Sequence, residues 1–303
     1  MNFRRKIAQI IAFFVANPFP GNFYRGRIYQ GQLKGACVPV LNCYSCPAAA
    51  GSCPLGALQG MVAAPHHKFP MYIFGFLLAA GGLAGRWFCG WLCPFGLIQE
   101  LIGKIGRRKL HVPYPLTLFK YLLLILLLLL PILWVDSDGF GAPYFCKYIC
   151  PEGTLAAGIP LLLAAPELWN MVGTIFYLKA GMLVFILGAS TVIDRPFCRT
   201  MCPLGAFYGL FNRLALFRIH HHTEKCISCD RCRRVCPMEL DLPGQLNSTE
   251  CIRCLSCMQI CPTGAITFGA APQSNKTMLK GRNNDVEKQM DHSAGVHHDP
   301  GNV

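Results

Sequence analysis

Two regularly spaced cysteine runs near the C-terminal end constrain this chain more than any other feature. The first is Cys226-x2-Cys229-x2-Cys232-x3-Cys236-Pro237, and the second repeats it as Cys251-x2-Cys254-x2-Cys257-x3-Cys261-Pro262. Thiolates at this spacing hold three corners of a 4Fe-4S cube, and the fourth cysteine of each run ligates the other cube. The spacing therefore predicts two iron clusters. Their predicted ligands are Cys226, Cys229, Cys232 and Cys261 for cluster 1, and Cys251, Cys254, Cys257 and Cys236 for cluster 2.

Other uses of cysteine fit these runs less well. Structural zinc also favours Cys-x2-Cys pairs, but zinc leaves the third cysteine and the proline of each run without a role. A secreted disulfide scaffold is rich in cysteine too, yet such scaffolds are short and irregularly spaced. This chain has 303 residues and 18 cysteines. We therefore favour iron.

The rest of the chain is too apolar for a soluble protein. Over all 303 residues, 53% are hydrophobic and only 14% are charged, whereas a soluble domain has about 25% charged residues. Three apolar runs are predicted to span a membrane, namely Met71 to Gly85, Leu116 to Val135 and Leu168 to Ile193. A fourth candidate, Ile7 to Ala16, reaches only about half of the ~30 Å hydrocarbon core at ~1.5 Å per helical residue.

An internal duplication favours the fourth span. The pattern Cys-Pro-x-Gly, followed by apolar residues, begins at Cys53, Cys93, Cys150 and Cys202. The second and fourth copies agree further, as Arg86-Trp-Phe-Cys-Gly-Trp-Leu-Cys-Pro and Arg195-Pro-Phe-Cys-Arg-Thr-Met-Cys-Pro. Such self-similarity indicates a repeated unit, in which the Ile7 to Ala16 segment corresponds to the long Leu116 to Val135 run. We predict a mainly α fold: a four-helix transmembrane bundle of two duplicated halves, with a small α+β two-cluster ferredoxin-like domain.

The predicted organisation has three parts. Residues 1–218 form a membrane domain, with halves of about 1–110 and 111–218. Residues 219–269 form a bacterial-type ferredoxin domain, and residues 270–303 form a polar tail that we expect to be disordered. With four spans, the distribution of Lys and Arg places the chain in the cell (inner) membrane with the ferredoxin domain in the cytoplasm. The same topology accounts for the net charge of +13, so no nucleic-acid partner is predicted.

The Cys-x3-Cys-Pro elements predict a third cluster at the inner membrane face. Proline fits the first turn of a helix, so the preceding cysteine is at the N-cap, where free N–H groups and the helix dipole stabilise a thiolate or an anionic cluster. Two such elements, one per half, supply four ligands: Cys89, Cys93, Cys198 and Cys202. Buried apolar cysteines without a ligand role are the alternative.

Six further cysteines lie on the predicted outer face. Duplication pairs Cys46 and Cys53 with Cys146 and Cys150 as an outer-face cluster, which leaves Cys37 and Cys43 unassigned. A local quartet of Cys37, Cys43, Cys46 and Cys53 is equally simple. Disulfides are a third interpretation if this face is oxidising. All three stay open at this point.

Residues 70 to 268 resemble the NapH/NosR/MauN-type membrane 4Fe-4S proteins, a polyferredoxin family. The resemblance rests on Phe88-Cys-Gly-Trp-Leu-Cys-Pro-Phe-Gly, Phe197-Cys-Arg-Thr-Met-Cys-Pro-Leu-Gly and the paired ferredoxin runs. It implies four helices, a cytoplasmic ferredoxin domain and electron passage between the quinone pool and redox partners. It carries over the inner-face cysteines and the eight ferredoxin cysteines. Asn42-Cys-Tyr-Ser-Cys-Pro, Ser52-Cys-Pro and the Cys146/Cys150 pair are extra to the NapH pattern.

The predicted function is membrane-bound iron–sulfur electron transfer. The expected partners are membrane lipid, a redox protein of a respiratory complex, and quinone or quinol, as in a quinol dehydrogenase-type subunit. Quinol oxidation releases protons as well as electrons, and the candidate acceptors are His66, His67, Glu100, His111 and Glu152. Two other classes stay open: a metal-handling or assembly factor for a respiratory oxidase, and a redox sensor.

Overall fold

The computed structural model describes residues 3–63, 71–106, 110–134 and 141–270, and this part of the chain is mainly helical. His66, His67 and the predicted polar tail after residue 270 lie outside the described residues. The mainly α class predicted from the sequence is confirmed, and Met1–Gly269 forms one compact unit.

Four longer helices alternate with short ones. The longer helices are α1 (Phe3–Ala16), α3 (Met71–Ala84), α6 (Tyr114–Leu133) and α9 (Thr174–Val192). The short helices are α2 (Pro54–Val62), α4 (Trp87–Trp91), α5 (Pro94–Ile102), α7 (Pro151–Gly153), α8 (Ile159–Ala164), α10 (Pro196–Thr200) and α11 (Pro203–Phe211). Turns of π-helix at Phe145–Ile149 and Thr154–Gly158 flank α7. Turns of 3-10 helix occur at Pro20–Asn22, Gln32–Gly35 and Pro166–Met171.

The ferredoxin-type segment is small and loop-rich. It contains the strand β1 (Phe217–His221), a 3-10 turn at Thr223–Lys225, the helices α12 (Arg231–Arg234) and α13 (Ser256–Ile260), and the strand β2 (Ile266–Ala270). The two strands pair with each other. Both cysteine runs lie between them in the sequence, so the short sheet closes the segment around its cysteines.

Two helices of the described residues are long and apolar enough to cross a membrane, α6 with 20 residues and α9 with 19. Helices α1 and α3 contain 14 residues each, which is about 21 Å at ~1.5 Å per residue, against a ~30 Å hydrocarbon core. A four-span bundle therefore stays a prediction. The span predicted to begin at Leu168 begins at Thr174 in the structure. Extended backbone at Gly173 (ψ 173°) separates the 3-10 helix Pro166–Met171 from α9.

The halves repeat one order of elements and exchange partners. In the first half α1 packs on α4 and α5, and in the second half α6 packs on α10 and α11. Across the halves, α3 packs on α11 and α9 packs on α5. The short helices α5 and α11, which begin at the Cys-Pro motifs, are therefore each held by a long helix from both halves.

Candidate metal centres

The two ferredoxin-type runs share one backbone conformation. In each run, the residues on either side of the second cysteine are left-handed, and so is the residue three positions after the last cysteine. These residues are Ser228 (φ 51°), Asp230 (φ 53°) and Glu239 (φ 53°) in the first run, and Arg253 (φ 49°), Leu255 (φ 61°) and Gly264 (φ 63°) in the second. Left-handed residues between right-handed ones turn successive N–H groups to one side, which makes a concave site for an anionic group.

Two cavities of this segment each combine three cysteines of one run with the last cysteine of the other. The first, of about 260 Å³, is lined by Cys226, Cys229, Cys232 and Cys261. The second is lined by Cys236, Cys251, Cys254 and Cys257. The first cavity is near the surface, where Ile227 is 63% exposed, whereas Cys251, Cys254 and Cys257 are buried. The fold thus brings together the two sets of thiols named from the spacing.

A third set of thiols, which we call the inner quartet, meets between the two halves. Its members are Cys89, Cys93, Cys198 and Cys202, and all four are buried. Burial is the main cause of the raised pKa of Cys93 and of Cys202, and the thiols of Cys198 and Cys89 raise both pKa values further. Such mutual effects require closely spaced groups. The inner quartet is thus one cluster of side chains in the fold.

The Cys-Pro motifs begin helices as expected. Cys93 and Cys202 are the N-cap residues of α5 and α11, with proline in the first turn. The N–H of Gly205 donates a hydrogen bond to the Sγ of Cys202 at 3.3 Å. This contact is the N-cap interaction with sulfur in place of oxygen, and it favours the thiolate that a cluster needs.

Two buried arginines cross between the halves at the inner quartet. Nη2 of Arg86 donates to the carbonyl of Cys198 at 2.9 Å, and Nη1 of Arg195 donates to the carbonyl of Cys89 at 3.0 Å. A Cβ at Gly205 would lie 3.1 Å from Nη2 of Arg86, and a Cβ at Gly96 would lie 3.1 Å from Nη1 of Arg195. The glycine of Cys-Pro-x-Gly therefore makes room for a cation from the other half. Cations beside four thiols fit an anionic cluster.

The loop between Cys89 and Cys93 touches the second ferredoxin-type run. Nε1 of Trp91 donates to the carbonyl of Arg253 at 3.1 Å. A Cβ at Gly90 would lie only 2.3 Å from the carbonyl oxygen of Ile252, so only glycine permits this approach. The inner quartet is therefore adjacent to the buried cavity that Cys251 and Cys254 line, rather than to the exposed one.

Buried ion pairs hold this arrangement from two sides. Glu250, the residue before Cys251, pairs with Lys120 of α6 and with Arg86, the latter at 3.2 Å. Glu100 of α5 pairs with Arg5 at 2.6 Å and with Arg195 at 2.8 Å. Lys120 lies within the apolar helix α6 and has no exposed surface. The carboxylate of Glu250 therefore compensates its charge.

The candidate proton acceptors differ in their surroundings. Glu100 is engaged by the two arginines described above. Nδ1 of His111 lies 2.8 Å from Oε2 of Glu239. Glu152 is 3% exposed, and its Oε2 has no hydrogen-bond partner among the described residues; burial raises its pKa to about 8. Of the acceptors that the structure describes, Glu152 is the one with an unused oxygen.

The six outer cysteines do not form one group. Cys43, Cys53, Cys146 and Cys150 line a single cavity of about 540 Å³. The Sγ of Cys46 instead contacts the carbonyl of Ala156 at 3.2 Å. Cys37 forms a β-bridge with Ser52. None of the 18 cysteines, all of which lie in the described part of the chain, is in a disulfide.

No three His, Cys, Asp or Glu side chains of the described residues stand close enough to hold a single metal ion. A cubane binds one thiolate at each of four separate corners, so its ligands are spaced more widely than those of one ion.

Several residues around the thiols were not singled out from the sequence. Arg86 and Arg195 carried a signal, because each opens its copy of the Arg-x-Phe-Cys-x3-Cys-Pro motif. Lys120 and Glu250 carried none, since 130 residues separate them. Tyr208, which is fully buried between the halves, also lacks a motif.

Comparisons with known proteins agree with this chemistry. A family described as a 4Fe-4S binding domain matches residues 52–72, 67–113, 119–163 and 177–220, and a second family of the same description matches residues 245–267. An uncharacterized protein of Methanocaldococcus jannaschii is 31% identical over 64% of this chain and 68% of its own. The ferredoxin-type protein NapH of Haemophilus influenzae is 25% identical over 78% of this chain and 74% of its own.

A further relative is the methylamine utilization ferredoxin-type protein MauN of Methylorubrum extorquens. It is 26% identical over 77% of this chain and 73% of its own. No solved structure matches the chain.

Proposed function

Because this chain belongs to the NapH/NosR/MauN-type family of ferredoxin-type 4Fe-4S electron-transport proteins, we propose that it carries electrons between the cell membrane and a soluble redox partner. The observation that carries this proposal is the contact of the Cys89–Cys93 loop with the second run through Trp91 and Gly90. That contact joins thiols beside the long apolar helices to thiols of the ferredoxin-type segment. Helices α6 and α9 would anchor the protein, with the ferredoxin-type segment in the cytoplasm.

Three ligand sets would hold the clusters: the two ferredoxin sets with exchanged fourth cysteines, and the inner quartet. When bound, 4Fe-4S groups supply one-electron carriers. The chain's own residues set the conditions. Arg86 and Arg195 balance negative charge beside the inner quartet. Gly90 and Trp91 keep the inner quartet next to the second run.

The exposed end of the path would be the cavity lined by Cys226, Cys229, Cys232 and Cys261. Its surroundings are basic, since Lys225, Arg231 and Arg234 are exposed there, and the apolar Ile227 protrudes. A partner with an acidic rim around an apolar patch is complementary to this surface. Electron exchange with such a partner should weaken as ionic strength rises, because salt screens charges at the surface.

A quinol is the proposed electron donor in the membrane. An apolar cavity of about 370 Å³ lies between α1, α5 and the segment after Cys150, and Gln9, Asn17 and Glu152 line it. The Gln9 Oε1, Asn17 Oδ1 and Glu152 Oε2 atoms are buried without a hydrogen-bond partner among the described residues. All three accept hydrogen bonds. They therefore suit a ligand that donates through hydroxyl groups from an apolar ring, which describes a quinol.

The position of this cavity suits the proposed exchange. Nε2 of Gln9 donates to the carbonyl of Cys93 at 3.2 Å, so the cavity adjoins the inner quartet. Oxidation of a quinol to a quinone breaks two O–H bonds and releases two electrons and two protons. The electrons would leave one at a time. Glu152 accepts a proton only when it is ionised, and its raised pKa of about 8 leaves it mostly protonated at neutral pH. Each proton therefore has to leave this carboxyl before it accepts the next one.

The test uses the full chain, purified anaerobically in detergent. We expect a reduced quinol analogue to reduce the ferredoxin centres of the wild-type protein, as followed by EPR. Cys89→Ser should abolish this reduction while dithionite still reduces both ferredoxin centres. Asn17→Leu should slow reduction by the quinol analogue and leave reduction by dithionite unchanged. The proposal fails if no more than two cubes of iron and acid-labile sulfide are present, or if Cys89→Ser transfers electrons at the wild-type rate.

A further inference from the structure

Four of the outer cysteines, Cys43, Cys53, Cys146 and Cys150, form a set that we call the outer quartet. They line one cavity of about 540 Å³, and neither Cys37 nor Cys46 lines it. Burial is the main cause of the raised pKa of Cys146, and the thiols of Cys150, Cys53 and Cys43 raise this pKa further. Burial also raises the pKa of Cys150, to about 12, with added effects from Cys43 and Cys53. The four sulfurs are therefore near one another.

The outer quartet is built by exchange between the halves. A Cβ at Gly153, in the second half, would lie 3.4 Å from the Sγ of Cys43 in the first. A Cβ at Gly56, in the first half, would lie 3.8 Å from the Sγ of Cys146 in the second. Each glycine belongs to a Cys-Pro-x-Gly turn. The structural counterpart of Cys146 is thus Cys43, and not Cys46 as the motif order suggested.

The environment of Cys46 differs from that of a ligand. It is packed with Ala48, Ala49 and Ala157 in a separate apolar cluster. Its thiol donates a hydrogen bond to the carbonyl of Ala156, so the sulfur already has a partner within the protein. Cys43 packs against the same apolar cluster, but unlike Cys46 it also lines the open cavity beside the turn that begins at Cys150.

The Cys-Pro turns of the outer quartet repeat those of the inner quartet. Cys53 caps α2 and Cys150 caps α7, each in extended conformation with proline following. Burial raises the pKa of both thiols, and the N–H of the glycine three residues later opposes the rise. In the inner quartet, the N–H of the corresponding glycine likewise lowers the pKa of the cysteine: Gly96 acts on Cys93 and Gly205 acts on Cys202. Whatever the inner turns bind, the outer turns offer the same local chemistry.

A cation accompanies the outer quartet as the arginines accompany the inner one. Nζ of Lys179 donates to the carbonyl of Cys146 at 3.1 Å, and it would lie 3.6 Å from a Cβ at Gly153. The charge of Lys179 opposes the rise in pKa that burial imposes on Cys43 and Cys146. A set of partly buried thiols with one ammonium group fits an anionic group.

Tyr208 links the two quartets. It is fully buried, and its ring lies 6.0 Å from that of Phe88, centroid to centroid. Burial is the main cause of the raised pKa of its hydroxyl. Thiols on both sides raise this pKa further, namely Cys89 and Cys202 of the inner quartet, Cys53 of the outer quartet, and Cys37. One aromatic side chain therefore lies within electrostatic reach of both quartets.

We propose that the outer quartet binds a fourth 4Fe-4S cluster, with Cys43 rather than Cys46 as the ligand from the first loop. This cluster would extend the electron path through Tyr208 to the side of the protein away from the ferredoxin-type segment. The proposal goes beyond quinol oxidation and does not need it, since the ligand set is independent of the donor.

The test compares Cys43→Ser with Cys46→Ser, two matched changes three positions apart in the same loop. The wild-type chain, purified anaerobically, should contain about 16 irons, four per cube, and the Cys43→Ser chain should lose about a quarter of them together with one EPR signal. Cys46→Ser should keep all of them. The signals of the two ferredoxin centres report on folding in each variant.

The proposal is overturned if Cys46→Ser loses the cluster while Cys43→Ser keeps it, or if the wild-type chain contains three cubes or fewer. If Cys43→Ser does not accumulate, Cys146→Ser tests the same cluster from the other half, and the wild-type iron count still decides. Failure of the proposed quinol oxidation would leave the iron content unchanged. A wild-type chain with three cubes would overturn the fourth cluster alone, whereas a chain with two cubes would overturn both proposals.

Discussion

Arg86 and Arg195 occupy reciprocal positions across the duplicated halves. Arg86 donates to the carbonyl of Cys198 at 2.9 Å, and Arg195 donates to the carbonyl of Cys89 at 3.0 Å. Each guanidinium group also fills the space that a side chain at the opposite Cys-Pro-x-Gly glycine would need. The arginines therefore lock the halves together and place two positive charges beside the inner quartet.

Arg86→Gln should lower the reduction potential of the inner cluster. Loss of a buried positive charge disfavours the more negative, reduced cluster, and net charge is one of the factors that set cluster potentials. Arg86→Lys keeps the charge and should keep most of the potential. An EPR-monitored redox titration measures the shift, with the exposed Arg213→Gln as control. An unchanged potential in Arg86→Gln would contradict the charge-balancing role.

Glu250→Gln should destabilise the folded protein by about 3–5 kcal/mol, because it leaves buried Lys120 and Arg86 without their carboxylate. Replacing Lys120 by Met in the same chain should recover part of the loss, since one of the two uncompensated charges is then absent. Thermal unfolding in detergent, measured for both single variants and the double variant, gives the coupling energy. Additive effects of the two changes would argue against the ion pair.

Gly90→Ala should push the inner quartet away from the second ferredoxin-type run. The added Cβ would meet the Ile252 carbonyl at 2.3 Å, and overpacking of this kind costs about 1–3 kcal/mol. The magnetic coupling between the inner cluster and cluster 2, read from EPR of the fully reduced protein, should weaken. Gly75→Ala is the matched control, because a Cβ there meets nothing within 4 Å. Equal coupling in both variants would show that Gly90 does not set the spacing.

Cluster 1 should be the first to be lost on exposure to ferricyanide or air. Ile227, between two of its ligands, is 63% exposed, whereas Cys93 and Cys202 of the inner quartet are about 5% exposed. Reagents reach thiolates and clusters in order of exposure. The order of EPR signal loss over time measures this, and simultaneous loss of all signals would contradict the ordered burial.

The cysteine patterns predicted much of the local chemistry. The Cys-x2-Cys-x2-Cys runs and the Cys-Pro caps are short segments, in which a few backbone angles decide where each sulfur points. The repeated left-handed positions at Ser228 and Arg253 show this. The family was recognisable from the same short motifs, and the comparisons confirm it. Span lengths were less predictable, because extended backbone at Gly173 interrupts a run that the sequence predicted to be one helix.

By itself, the sequence determined the type of metal chemistry, the mainly helical class and the duplication, since all three are written in spacing and order along the chain. Only the tertiary structure decided which distant groups meet. It placed Lys120 against Glu250, brought the second run rather than the first to the inner quartet, and brought Cys43 rather than Cys46 to Cys146. Such contacts depend on how two halves pack and exchange helices, and no local spacing records that packing.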